Sequence, residues 1–127
     1  MTKNEFYSTW LRRFANGISR EKIEKYVVST GNYLWHVFSW ELIAAEELLT
    51  GDQARLAFDR ADKTSCICCD MYNGNGVTDH LPSRFDTAEK IDSALSEYYV
   101  VAGDYTWTYI KTHEGDNCGP YFLKENR

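Results

Sequence analysis

The sequence predicts an α+β fold, with helices mainly in the N-terminal half packed on an antiparallel sheet formed mainly by the C-terminal half. Apolar residues recur at helical spacing over residues 4–15 and again over 20–29. From residue 65 onward, short stretches with the length and alternation of β-strands dominate. The chain has 127 residues and no linker-like tract, so we expect a single domain spanning residues 1–127.

Two helices are expected first. Over residues 4–15 the apolar side chains fall on one helical face, and Gly17 ends the pattern. Ser19 can cap a second helix over 20–29, because its hydroxyl can accept a hydrogen bond from a free N–H group of the first turn. The Gly31-Asn32 pair should break this helix, since both residue types tolerate a positive φ.

The aromatic run Y-L-W-H-V-F-S-W (33–40) carries apolar groups at both odd and even positions. This pattern predicts an interior strand covered on both faces, followed by a short helix over 41–49. A single helix running through both stretches is the alternative. Thr50 or Asp52 can cap a further helix over 53–62, whose apolar residues fall on one face.

The stretch S-C-I-C-C-D-M-Y (65–72) predicts a strand. Because side chains alternate between the two faces of a strand, Cys66 and Cys68 should share one face and Cys69 should lie on the other. The N-G-N-G sequence that follows (73–76) predicts a turn, since both Asn-Gly pairs favour positive φ.

A last helix is expected over 87–97, with Asp86 as its cap. The strand that follows begins with E-Y-Y-V-V (97–101), and the Gly103-Asp104 pair turns the chain into a C-terminal hairpin. The stretches T-W-T-Y-I-K-T-H-E (106–114) and C-G-P-Y-F (118–122) supply its two strands. On the first strand, alternation predicts a buried aromatic wall of Tyr105, Trp107 and Tyr109 and a hydroxyl-bearing face of Thr106, Thr108 and Thr112.

Three of these stretches carry a resemblance to a known family. They are L-W-H-V-F-S-W (34–40), G-D-x-A-R-x-A-F-D (51–59), and T-W-T-Y-x-x-T-H-E leading to G-P-Y-F (106–122). On these residues the chain resembles a bacterial family catalogued as domain of unknown function 4275. The resemblance implies a single cytosolic bacterial α+β domain. It implies no established activity, so no catalytic residue is carried over.

The net charge of −5 is unevenly distributed. Residues 64–127 hold five Lys/Arg against ten Asp/Glu, whereas residues 1–63 hold nine of each. An acidic surface repels phosphate backbones and anionic lipid, so nucleic acid and membrane are not expected as partners, and a basic protein is. The N-terminus lacks a signal-peptide pattern and no apolar stretch approaches about 18 residues, so we expect a cytoplasmic protein.

The cysteine pattern does not predict a metal site. A structural zinc site usually shows two separated ligand pairs, whereas C-x-C-C (66–69) is one compact group, with His113 and Cys118 as the only plausible second pair. We therefore expect neither a metal nor another cofactor. His36, within the aromatic run, is expected to be a core side chain hydrogen-bonded to the backbone.

The sequence favours a non-enzymatic protein-binding domain. Its most concrete form is an immunity protein that neutralises a cognate bacterial toxin through an acidic, aromatic surface, because no familiar catalytic motif is present. The expected partner-binding side chains are Asp86, Glu89, Asp92, Glu97, Asp104, Glu114 and Asp116.

Two alternatives remain open. The first is an uncharacterised enzyme or metal-binding domain that uses Cys118 with His113 as base and Glu114 to orient the imidazole. The acidic G-D-N-C-G loop disfavours it, because nearby carboxylates raise the pKa of a thiol. The second is a domain that binds a small molecule in an aromatic cavity beside Trp35, Trp107 and Tyr109.

Overall fold

The protein is described by a computed structural model that covers residues 1–43, 47–72 and 76–124. Six antiparallel strands form one sheet, and helices pack on both of its faces, which confirms the α+β prediction. The helices are α1 (Lys3–Phe14), α2 (Arg20–Ile23, continued by π-helical turns over Glu24–Val28), α3 (His36–Ser39), α4 (Gly51–Arg60) and α5 (Ala88–Ala94). The strands are β1 (Leu48–Thr50), β2 (Cys66–Asp70), β3 (Val77–Thr78), β4 (Tyr98–Ala102), β5 (Trp107–Lys111) and β6 (Tyr121–Lys124).

The strands lie in the order β1-β6-β5-β4-β2-β3, so β4 and β5 are central. All five residues of β4 are buried. Tyr99 and Val101 pack with α1 and α3, whereas Tyr98 and Val100 pack with α4 and α5 on the opposite face. A strand covered on both faces needs apolar side chains at every position, which is what this stretch of sequence supplies.

The first helix connects the N-terminus to the middle of the sheet. Thr2 caps α1 and forms a reciprocal capping box with Glu5. Trp10, one of its buried residues, donates a hydrogen bond from Nε1 to Oγ1 of Thr108 on β5, at 3.1 Å. Ser19 caps α2 as predicted, accepting from the backbone N–H of Lys22.

The predicted helix break at Gly31-Asn32 is confirmed, and it positions the aromatic run. Gly31 has φ +113° and Asn32 has φ +65°. A Cβ atom at Gly31 would lie 2.7 Å from the ring of Tyr33, so a larger residue would displace that ring. The chain leaves this turn toward Trp35.

The prediction of a strand over 33–40 is wrong, because this stretch forms helical turns that include α3. Leu34, Trp35, Val37 and Phe38 are all buried. Apolar groups at both odd and even positions fit a short buried helix as well as an interior strand, so the hydrophobic periodicity does not distinguish a helix from a strand here. The helix predicted over 41–49 is also wrong at its end, since residues 48–50 form β1; residues 44–46 lie outside the described residues.

The C-terminal hairpin is confirmed, with β5 and β6 paired antiparallel. Trp107 and Tyr109 share a buried face as expected. Tyr105 does not join them, because its φ of +61° places it in the turn, where its ring packs beneath Arg13 of α1. The face of the hairpin that carries the threonines is not exposed to solvent. Thr108 and Thr112 are both buried, and α1 covers this side of the sheet.

Two further predictions are corrected around α5. The helix is shorter than expected, Ala88–Ala94, and its cap is Thr87 rather than Asp86.

β2 has the predicted alternation, with Cys66 and Cys68 on one face and Cys69 on the other. Of the N-G-N-G turn, residues 73–75 lie outside the described residues. Across the described ranges, no helix combines the length and apolarity needed to cross a bilayer.

Candidate functional site

A carboxylate, that of Glu97, is buried just before β4. The residue is 0% exposed. Trp35 donates from Nε1 to Oε1 at 3.0 Å, and Tyr99 donates its hydroxyl proton to Oε2 at 3.0 Å. Nδ1 of His113 lies 2.7 Å from Oε1. Removing a carboxylate from water costs several kcal/mol, and these three hydrogen bonds offset that cost.

Three distant parts of the chain deliver these groups to one end of the sheet. β4 and β5 pair so that Tyr98 lies opposite Lys111, which brings Glu97 and His113 close together beyond the paired ends. Tyr99 shares a face with Glu97 because the two residues are two positions apart along an extended chain. Trp35 arrives from the turn that precedes α3.

The hydrogen bond to Glu97 determines how the ring of His113 can act. An ionised carboxylate only accepts hydrogen bonds, so Nδ1 carries the proton that it donates to Glu97. In the neutral ring Nε2 is then an acceptor. Nε2 lies 3.6 Å from Oε1 of Glu114, and the side chain of His113 is 30% exposed. The Nδ1 edge of the ring is thus held by Glu97, and the Nε2 edge faces Glu114.

Aromatic rings surround His113. The centroid of its ring is 5.0 Å from that of Tyr33, 5.6 Å from that of Trp35 and 6.2 Å from that of Tyr72. The hydroxyl of Tyr72 lies 3.3 Å from Nδ1. Partial desolvation raises the pKa of Tyr72 to about 12, so its hydroxyl keeps its proton at neutral pH. We refer to six residues as the histidine cluster: Tyr33, Trp35, Tyr72, Glu97, His113 and Glu114.

His36 lies at the margin of this cluster. Its ring centroid is 4.4 Å from that of Trp35 and 5.4 Å from that of Tyr33. Nδ1 of His36 lies 2.6 Å from the hydroxyl oxygen of Thr30. The ring also has the predicted hydrogen bond with the backbone, at Tyr26, but it is half-buried rather than a fully buried core side chain. Burial lowers the pKa of His36, which favours the neutral ring at neutral pH.

The comparison with known families bears on the whole cluster. The model of one family, described as domain of unknown function 4275, matches residues 3–122. The chain belongs to this family. No curated protein and no solved structure matches the chain. All six residues of the histidine cluster fall inside the matched range, so the cluster lies within the domain that defines this family.

In this member of the domain of unknown function 4275 family, one predicted partner-binding residue is misplaced. Glu97 was expected on the outer face of a helix, but α5 ends at Ala94 and Glu97 is fully buried, so it cannot contact a partner directly. The sequence contains a signal for this. Glu97 has the same parity as Tyr99 and Val101, so an extended chain directs all three side chains to one buried face.

The other predicted acidic residues lie in three separate places. On and beside α5, Asp86 pairs with Lys90 at 2.9 Å, Asp92 pairs with Arg55 at 2.7 Å, and Glu89 is exposed. Asp104 lies in the turn between β4 and β5, at the end of the sheet opposite to Glu114. Asp116 lies in the short 3₁₀ turn Gly115–Asn117, close in sequence to Glu114. Partner binding by these residues stays a prediction.

The sequence suggests a catalytic group of Cys118, His113 and Glu114, and the structure assembles only part of it. Glu114 lies beside His113, and Glu97, which the sequence reasoning had placed on the surface, is the residue that orients the imidazole. Burial raises the pKa of the Cys118 thiol, so it is not an activated nucleophile. Within the described ranges, no group of three or more His, Cys, Asp or Glu side chains could hold a metal ion.

The aromatic cavity proposed beside Trp35, Trp107 and Tyr109 does not form. Trp35 packs in the core on the α1 face, whereas Trp107 and Tyr109 pack on the α4 face. The sheet itself separates them. Tyr109 instead stacks on Phe58 of α4, with ring centroids 4.5 Å apart.

The buried thiols of β2 should make the stability of the protein fall as the pH becomes alkaline. Burial raises the pKa of Cys66 to about 11, that of Cys68 to about 12 and that of Cys69 to about 11, from an ordinary value of 9.0. Above pH 9 the unfolded chain releases these protons while the native chain retains them. The free energy of unfolding should therefore fall between pH 9 and 11, by on the order of 1 kcal/mol per thiol at pH 10.

Urea unfolding under reducing conditions at pH 8 and pH 10 measures this effect, and the variant Cys68→Ala isolates one thiol. Its loss of stability between the two pH values should be smaller than that of the unmodified protein. Equal losses would show that Cys68 does not contribute to the pH dependence.

Proposed function

We propose that this protein is a non-enzymatic protein-binding domain of the cytoplasm, and most concretely an immunity protein that neutralises a basic toxin domain. The observation that carries the proposal is the exposed rim of the histidine cluster. The residue Tyr72 is 52% exposed and the side chain of Glu114 is 46% exposed, and both lie beside the firmly held ring of His113.

A rim of this kind suits protein recognition. Tyrosine contributes a large contact area and loses little conformational entropy on binding, while a carboxylate attracts a basic partner and speeds the encounter. The hydrogen bonds of Glu97 hold the base of the rim in one geometry before binding, which lowers the cost of ordering it. The acidic balance of residues 64–127 supports the same kind of partner.

The test begins with the gene next to the one encoding this chain. If that gene encodes a large secreted protein with a nuclease-like C-terminal domain, we expect expression of the domain alone to arrest bacterial growth. Co-expression of this protein should restore growth, and the two purified proteins should form a 1:1 complex whose association slows as salt is raised. Growth arrest that persists despite equal expression would contradict the immunity proposal.

Charge reversal then locates the binding surface. Glu114→Lys should slow association with the toxin domain about tenfold, because it replaces a steering charge on the rim by one of opposite sign. Glu89→Lys is the matched control, since Glu89 is an exposed carboxylate on α5. A larger effect of Glu89→Lys would place the binding surface on α5, as the sequence predicted, and not at the histidine cluster.

One observation favours a second candidate, an acid–base enzyme. The 2.7 Å contact between Glu97 and Nδ1 of His113 leaves Nε2 free to act as a base, an arrangement that general-base catalysis uses. The two functions differ in stoichiometry. A binding protein protects only in amounts equal to those of the toxin domain, whereas an enzyme that modified the toxin domain would protect at a small fraction of that amount.

A further inference from the structure

The outer side of the histidine cluster is rich in hydrogen-bond acceptors. Glu114 presents a half-exposed carboxylate beside Nε2 of His113, and the half-exposed Tyr72 presents a phenolic oxygen. A ligand that complements such a surface must therefore bring several donors.

Charge points in the same direction. Glu97 and Glu114 contribute two carboxyl groups to the cluster, and that of Glu114 is half-exposed. Lys111, two residues before His113, donates instead to the backbone carbonyls of Leu95 and Ser96. Lys3, beside the cluster, donates to the carbonyl of Met71 at 3.2 Å. A cation brought by a ligand could pair with the half-exposed carboxylate of Glu114.

We propose that the rim formed by Tyr33, Tyr72 and Glu114 beside the ring of His113 binds the guanidinium of one arginine on the protein partner. This inference rests on the proposed function, and it assigns the partner's contacting group. A guanidinium is planar and carries five N–H donors. It can donate two parallel hydrogen bonds to one carboxylate while its face lies on a tyrosine ring. Arginine thus matches the acceptors and the aromatic faces together, whereas the compact ammonium of lysine matches only the charge.

The buried residues of the cluster support the rim and do not bind the guanidinium themselves. Glu97 holds Nδ1 of His113, and the rings of Trp35 and His113 pack edge to face. Glu97 and Trp35 are therefore positioning residues. The rim residues Tyr72 and Glu114 are the ones whose substitution should change arginine binding without loss of the fold.

The test uses N-acetyl-arginine amide as the probe, titrated into the full chain at about pH 8, where an arginine side chain is fully charged. Ring resonances of His113 in NMR spectra report binding at the site. We expect saturable shifts with the arginine probe. The citrulline analogue, which has nearly the same shape but no charge, should give none. Identical shifts with both compounds, or no saturable shift with either, would overturn the inference.

Matched variants locate the site. Glu114→Gln should weaken binding of the arginine probe about tenfold, since it removes a charge-assisted pair of hydrogen bonds. Tyr72→Ala should weaken binding further than Tyr72→Phe does, because phenylalanine keeps the aromatic face. Glu89→Gln, on exposed α5, should leave binding unchanged. If Glu89→Gln weakens binding as much as Glu114→Gln, the probe senses overall charge and the assignment of the site is wrong.

The outcome for the arginine site is separable from that for the immunity proposal. If the toxin domain is neutralised equally well by the unmodified protein, Glu114→Gln and Tyr72→Ala, the arginine site is wrong while the immunity proposal stands. If the probe binds as expected but the toxin domain is not neutralised, the arginine site stands and the immunity proposal fails.

Discussion

Replacing Glu97 with alanine is expected to lower the free energy of unfolding by about 3–5 kcal/mol. The substitution leaves three donors without their acceptor: the buried indole N–H of Trp35, the buried hydroxyl of Tyr99 and the partly buried imidazole N–H of His113. Few single substitutions remove so many partners at once. Urea unfolding at neutral pH, followed by tryptophan fluorescence, measures the loss.

Two variants make this prediction specific. Glu97→Gln keeps one acceptor oxygen in nearly the same place, so its loss should be smaller than that of Glu97→Ala. Glu89→Ala removes an exposed carboxylate from α5 and should change stability by no more than about 0.5 kcal/mol. A Glu97→Ala protein as stable as Glu89→Ala would show that the burial of Glu97 is not accompanied by the hydrogen bonds described.

Replacing Trp10 with alanine is expected to cost about 3–5 kcal/mol through loss of packing between α1 and the sheet. Trp10 is 1% exposed, and its ring centroid lies 5.5 Å from that of Phe14 and 5.7 Å from that of Phe38. Its Nε1 also donates to Thr108, whose hydroxyl donates onward to the carbonyl of Val100. Thermal or urea unfolding gives the magnitude.

The variant Trp10→Phe separates packing from hydrogen bonding. It keeps an aromatic ring against Phe14 and Phe38 but removes the donor to Thr108. We therefore expect a smaller loss of unfolding free energy: about 1–2 kcal/mol for the hydrogen bond, and a further contribution from the smaller ring. Leu56→Ala, at an exposed position on α4, serves as the control and should lie within about 0.5 kcal/mol of the unmodified protein. A Trp10→Ala loss no larger than that of Leu56→Ala would contradict the described packing.

Local patterns were sufficient to predict much of the fold. The helix over residues 4–15, the alternation of the β2 cysteines and the C-terminal hairpin each depend on neighbours in the sequence, and all three are confirmed. The run 33–40 could not be decided in this way. Its backbone follows from packing against α1 and the sheet, which are far away in the chain.

The histidine cluster was harder to predict than the fold, because its residues come from four separate stretches. His113 and Glu114 were identified as a possible pair from their adjacency. Trp35 and Tyr72 have no sequence feature that connects them to His113. The sequence predicts a surface position for Glu97, because acidic residues are rarely buried. The evidence against that position is only the shared parity of Glu97 with the two buried residues Tyr99 and Val101. Assembly of the sheet brings the four stretches together.

The interior position of Glu97 has a consequence for how the protein unfolds. Detaching either the segment containing Trp35 or the C-terminal hairpin would remove a hydrogen-bond partner from the carboxyl group of Glu97. Partly opened forms at this end of the molecule are thereby made costly. We expect amide hydrogens near Trp35, Tyr99 and His113 to exchange with solvent together, as one cooperative unit, although nearly eighty residues separate the first from the last.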